Sequence, residues 1–342
     1  MLKSEVFLKP HSKEFNLTDF IEPIQSELSL VEKELSTNLI DDNPFIDELL
    51  ACVLQNGGKR IRPMLVLHSA QASGVAGNEL GRLHIILAVL TELIHAASLV
   101  HDDILDSASV RRGAQTVNKR FNDRLAVLLG DLLFAQASIC LSRIMSPVIV
   151  GIYGQVLGDL CAGEIRQMKQ QFVIAVNWGE YINKSIAKTA SLFSAGTRSS
   201  AILNQASDDI VEALRNYGLH LGICFQIIDD LLDIIGTPDA LGKATGSDLK
   251  AGVITAPALF VLERQDKAAR LLQDLIATRQ VCCEEGTKEA LSLIVDNGGI
   301  EATITLAQKH AQIAIDNLLV LPDSIYKDCL AEFINYVLKR AN

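Results

Sequence analysis

The chain has 342 residues, is 49% hydrophobic and 21% charged, and carries a formal net charge of −10. That apolar share fills a sizeable core and excludes a disordered chain, while 22 Gly and 8 Pro are too few for a fibrous one. The acidic balance excludes a general nucleic-acid binder, because phosphate neutralisation needs a basic surface. A diphosphate would need a local basic patch or a bridging cation. Leu, Ile, Ala and Val carry most of the apolar content, which favours helices packed on helices.

The first ten residues lack an apolar core long enough for a signal peptide. Residues 1–19 read as an N-terminal extension of one domain covering 1–342. Residues 20–39 then place Ile21, Ile24, Leu28, Val31 and Leu35 three or four apart, the helical period, with Pro23 in the first turn. Asp41, Asp42 and Asn43 break the pattern. Pro44 opens a helix over 45–55 that stops at Gly57-Gly58. Further helical stretches are expected over 63–73, 81–107, 118–146, 148–172, 179–195, 207–235, 257–264, 268–279, 287–297, 300–319 and 324–339. No stretch alternates as a strand does, so the fold class is all-α.

The most apolar run, 85–100, is short for a membrane span and carries Glu92 and His95, with Asp102 and Asp103 just beyond. It reads as a buried helix of a soluble protein. Seven scattered cysteines without a CxxC pair read as reduced thiols of a cytosol-like compartment. The polar, glycine-bearing loop 236–254 is long, and such loops are more often functional than average.

Two acidic constellations stand out. In the first, Asp102 and Asp106 share one helix face, and Asp103 sits beside them. Like charges at that spacing destabilise a helix, and a hard cation bound through oxygens would offset the repulsion. One such motif alone could be a solvated helix end. The second repeats the spacing as Asp229, Asp230 and Asp233 inside another apolar helix. Two such sets facing each other across a bundle could hold several Mg²⁺ ions, with phosphate oxygens completing the shells. Basic groups form two further clusters. Lys59, Arg60 and Arg62 crowd a glycine loop at a helix start, where the backbone itself favours anions. Arg111 and Arg112 follow the first aspartates. On an acidic protein such groups suit phosphate capture.

Together with Gly130-Asp131, Gly163-Glu164, Lys188-Thr189 and Gly242-Lys243, these motifs make the chain resemble the trans-isoprenyl diphosphate synthases, the polyprenyl synthetase family. The resemblance runs from about residue 20 to the C-terminus. It implies a single large bundle of antiparallel helices around a deep apolar cavity. It also implies that Asp102, Asp103, Asp106, Asp229, Asp230 and Asp233 bind Mg²⁺ and the allylic diphosphate, with Asp102, Asp106 and Asp229 as metal ligands. Three Mg²⁺ per active site are expected with substrate bound. By the same match, Arg111, Lys188, Thr189, Gln226 and Lys243 contact the allylic diphosphate, with Lys188 also counted among the catalytic residues. Lys59, Arg62, His95 and Arg112 hold isopentenyl diphosphate. Many relatives carry a lysine where this chain has Val253, so that contact cannot be carried over.

The implied reaction is ionisation of the allylic diphosphate, attack by the isopentenyl double bond and loss of a proton, in a site that keeps water from the cation. Small residues at Ala97 and Ser98, about one turn below Asp102, leave the growing chain room where many short-chain relatives have an aromatic floor. The expected product is therefore longer than C15. Alternatives are a farnesyl- or geranylgeranyl-length synthase, a terpene cyclase, or a non-catalytic partner subunit. A cyclase would leave Lys59, Arg62 and Arg112 idle, and partner subunits often lose an aspartate cluster. The resemblance further implies a homodimer; a cytoplasmic location is expected, or an organellar lumen such as a plastid, with neither a membrane span nor nucleic acid involved.

Overall fold

A computed structural model of the chain describes residues 16–37, 43–54, 58–74, 80–111, 113–236 and 245–340. Of the expected site residues, Arg112 and Lys243 lie outside the described residues, as does most of the expected N-terminal extension. The architecture is all-α. The first half comprises α1 (Leu17–Ile21), α2 (Gln25–Thr37), α3 (Pro44–Leu54), α4 (Ile61–Ser73), α5 (Arg82–Leu105), α6 (Val117–Arg120), α7 (Asp123–Ile144) and α8 (Pro147–Gln170). Then come α9 (Trp178–Ser185), α10 (Ser191–Leu203), α11 (Asp208–Ile235), α12 (Ser247–Lys250), α13 (Ala256–Leu262), α14 (Lys267–Ala277), α15 (Glu284–Asp296), α16 (Gly299–Asn317) and α17 (Ile325–Lys339).

The centre of the bundle is α5, α10 and α11. Helix α5 packs most extensively on α7, and α11 on α16 and α10. Their facing sides bury Leu87, Leu90, Leu93 and Ala97 from α5 and Leu214, Leu221, Ile227 and Leu231 from α11. This is the apolar stripe that the periodicity predicts.

Several boundaries differ from the sequence expectation. The stretch 118–146 is two helices, because the Asn122 side chain accepts from Leu125 N at 3.0 Å and caps a new start. Pro23 lies in a 3₁₀ turn, Glu22–Ile24, joining α1 to α2 rather than in the first turn of one helix. Helix α10 runs on to Leu203 past Gly196, where a side chain would press on Val66; that glycine serves close packing, not termination. A two-residue hairpin, Val110–Arg111 paired with Ala114–Gln115, follows α5 and was not foreseen. Within the expected loop 236–254, α12 forms a short helix.

Among the described residues, three helices are long and apolar enough to cross a membrane: α5, α7 and α8. Of the most apolar 18-residue stretch in each, 78% is buried inside the bundle in α5, against 33% in α7 and 22% in α8. Val127, Leu128 and Ile139 of α7 and Val148 and Val150 of α8 are exposed.

Candidate active site

Between the end of α5, the end of α11 and the C-terminal helix α17 lies a cavity of about 640 Å³. Asp102 and Asp106 line one wall, and Asp229, Asp230 and Asp248 another. Lys59, Arg62, His95, Ser98, Arg111, Lys188, Thr189 and Gln226 also line it. The two acidic clusters and nearly every described basic residue singled out in the sequence therefore share one cleft.

Each acidic cluster divides its labour. Asp103 is buried and turned from the cleft, toward a small second pocket. Its carboxylate accepts from Arg111 Nε at 2.7 Å, which ties the hairpin carrying Arg111 back to α5. In the second cluster, Asp230 accepts from Tyr181 Oη and from Gln226 Nε2, both at 2.8 Å. Thr189 donates in turn to Gln226 Oε1 at 2.6 Å. Asp233 is buried and accepts from the Ser247 hydroxyl and from Asp248 N at 3.1 Å, which folds the start of α12 toward the cleft. Asp229 is ion-paired with Arg340.

Two glycines permit this convergence. A side chain at Gly222 would meet the Ala190 backbone, and one at Gly163 would meet Ala187. Without a Cβ, α11 and α8 both close on the segment 186–190. That segment is one turn of π-helix inserted between α9 and α10, and it carries Lys188 and Thr189. Such turns occur frequently at functional sites. Gly222 stands one turn before Gln226, so close approach there brings Gln226 to Thr189.

Burial dominates the electrostatics of the site. Desolvation raises the Asp102 carboxyl to about 6, against the pull of Lys188, and Glu164 and Asp106 push the same way. Desolvation also raises Asp229, more than Arg340 lowers it. Crowding alone would depress the Lys188 ammonium, but Asp102, Glu164, Asp106 and Asp248 together hold it above its ordinary value.

Sequence reasoning missed Glu164 as a wall residue, Lys184, Asp248, Tyr336 and Arg340, all of which line the cavity. Lys59 Nζ donates to Tyr336 Oη at 2.9 Å, and the Arg340 guanidinium lies 4.8 Å from the Phe225 ring centre. Val253 is on the cavity wall. Ser98 faces the cavity and donates to His95 O at 2.9 Å, whereas Ala97 is packed in the core.

An all-helical bundle whose cleft opposes two carboxylate clusters and rings them with lysine and arginine defines a prenyltransferase that works on diphosphates. Residues 43–294 match the polyprenyl synthetase family, and the chain belongs to that family. It is 39% identical to a prenyl transferase of Cyanophora paradoxa over 325 residues, covering 95% of this chain and 99% of the relative. It is 37% identical to the chloroplastic solanesyl diphosphate synthase 1 of Arabidopsis thaliana, covering 97% and 82% of the two chains. Its fold superposes with a TM-score of 0.89 on a polyprenyl synthase from Caulobacter crescentus, complexed with calcium and isoprenyl diphosphate, at 28% identity and covering 96% and 99%.

Proposed function

We propose that the chain condenses isopentenyl diphosphate with an allylic diphosphate to give a polyprenyl diphosphate longer than C15. The observation that carries this reading is the single cleft lined by Asp102, Asp106 and Asp229 together with Lys188, Arg111, Lys59 and Arg62. The likeness to a solanesyl diphosphate synthase supports the product class. Asp102, Asp106 and Asp229 would hold Mg²⁺, three ions per site when substrate is bound. Among the described residues no three His, Cys, Asp or Glu side chains gather closely enough to bind a cation by themselves. That arrangement fits Mg²⁺, which is commonly bound by one or two carboxylates and the substrate's own phosphates. The bound metal would neutralise the leaving diphosphate. Lys188, Arg111, Thr189 and Gln226, with Lys243, would orient that diphosphate. Lys59, Arg62 and His95, with Arg112, would hold isopentenyl diphosphate.

Incubating the purified chain with labelled isopentenyl diphosphate, farnesyl diphosphate and Mg²⁺ tests the reading. Products longer than C15 that vanish with EDTA are expected. A cyclised product, or none, would replace it with the cyclase or the non-catalytic subunit.

We also read the protein as a homodimer joined through the apolar faces of α7 and α8. Leu128 is 63% exposed and Val148 58%, a cost that burial against a second copy removes. Light scattering should give twice the chain mass, and Leu128→Glu with Val150→Glu should halve it. The compartment is read as the cytoplasm or an organellar lumen such as a plastid.

A further inference from the structure

The basic segment 59–62 at the start of α4 contains three cations, and one of them behaves unlike the others. Arg60 has φ 49° and ψ 34°, a left-handed conformation that is uncommon for a residue with a Cβ. Such a conformation carries strain and persists only where the surroundings over-determine it. Here they do. The Arg60 side chain is only 10% exposed. Its Nε donates to Glu32 Oε1 at 2.6 Å, its Nη1 to Glu92 Oε1 at 3.0 Å, and its Nη2 to Glu32 Oε2 at 3.2 Å and to the Leu54 carbonyl. One planar fork thus joins α2, the end of α3 and α5.

Two carboxylates already occupy this guanidinium, so it is not available for a diphosphate. Glu92 is 6% exposed, and an unpaired carboxylate there would be costly. The network therefore fixes the loop against α5. Lys59 immediately precedes Arg60, Arg62 follows two residues later, and His95 lies one turn beyond Glu92 on α5. All three line the cavity.

We propose that Arg60 is a positioning residue for the diphosphate of isopentenyl diphosphate: clamped by Glu32 and Glu92, it sets Lys59 and Arg62 in register with His95. This rests on the function proposed above. An arginine is needed because only its planar fork meets two carboxylates and a carbonyl at once; a lysine keeps the charge but not the geometry.

The test is steady-state kinetics of Arg60→Gln, Arg60→Lys and Glu92→Gln, with melting temperature followed alongside. Wild-type turnover tests the functional reading; the pattern among variants tests Arg60. Arg60→Gln and Arg60→Lys should each raise KM for isopentenyl diphosphate tenfold or more and change KM for the allylic substrate less than twofold. Glu92→Gln should shift the same KM by a smaller factor. Combining it with Arg60→Gln should add little, because both break one network. A purely structural role would lower kcat and melting temperature and leave both KM values alone. That result, or an equal rise in both KM values, would overturn the proposal. Should Arg60→Gln fail to fold, Arg60→Lys and Glu92→Gln decide it by the same criterion.

Discussion

Nη2 of Arg340 lies 2.8 Å from Oδ1 of Asp229, so the C-terminal helix is ion-paired to the first carboxylate of the second aspartate cluster. A cation seated on Asp229 has to compete with this guanidinium. Arg340→Gln should therefore tighten Mn²⁺ binding to the substrate-free protein by several-fold, measured by titration calorimetry. Both side chains are roughly a third exposed, so solvent screening keeps the effect modest. Equal affinities in the two proteins would show that the pair does not compete.

Asp102→Ala and Asp229→Ala should each lower turnover by orders of magnitude while the circular dichroism spectrum stays helical. Both side chains line the cleft, and desolvation opposes the charge of each. Near-wild-type turnover in either variant would sink the assignment of the metal ligands.

Stability should fall in mild acid through the pair His220 and His310, whose Nδ1 atoms lie 3.0 Å apart between α11 and α16. Burial, His220 and Lys309 lower His310 to about 4, and burial and Arg215 lower His220. Between about 4 and the ordinary histidine value the unfolded chain binds more protons than the folded one. Stability contributed by the pair is therefore present at neutral pH and is lost as pH falls through that window. His310→Gln should show a shallower drop of melting temperature from pH 7 to pH 4.5. A drop as steep as wild type would exclude the pair as its source.

Ser98→Phe should shorten the product. Ser98 faces the cavity and Ala97 is buried beside it, one turn below Asp102. Each added isoprene unit needs about one more helical turn of depth. A bulky ring at Ser98 then blocks the first turn, and chromatography of the products should show the distribution moved toward farnesyl or geranylgeranyl length. An unchanged distribution would put the floor elsewhere.

The helices were legible because their apolar stripes recur every three or four residues, and the cleft was legible because its carboxylates share that period. What the chain order hides is which polar group neutralises which. Asp103 and Asp106 look alike in sequence, yet one is folded back onto Arg111 and the other faces the cleft. Arg60 reads as one more phosphate ligand until its two glutamates, 28 and 32 positions away, are seen around it. Tyr336 and Arg340 reach the site only through the return of α17, and no local pattern announces contacts across that distance.

The π-turn at Ile186–Ala190 makes the segment unusually sensitive to chain length. Each residue advances an α-helix by about 100° around its axis. Deleting one residue between α9 and α10 would let the turn revert to regular α-helix with little loss of hydrogen bonding. Lys188 or Thr189 would then be swept off the cleft while the fold stood. Lineages of this protein should consequently keep the number of residues in 186–190 fixed, the reverse of what surface loops tolerate.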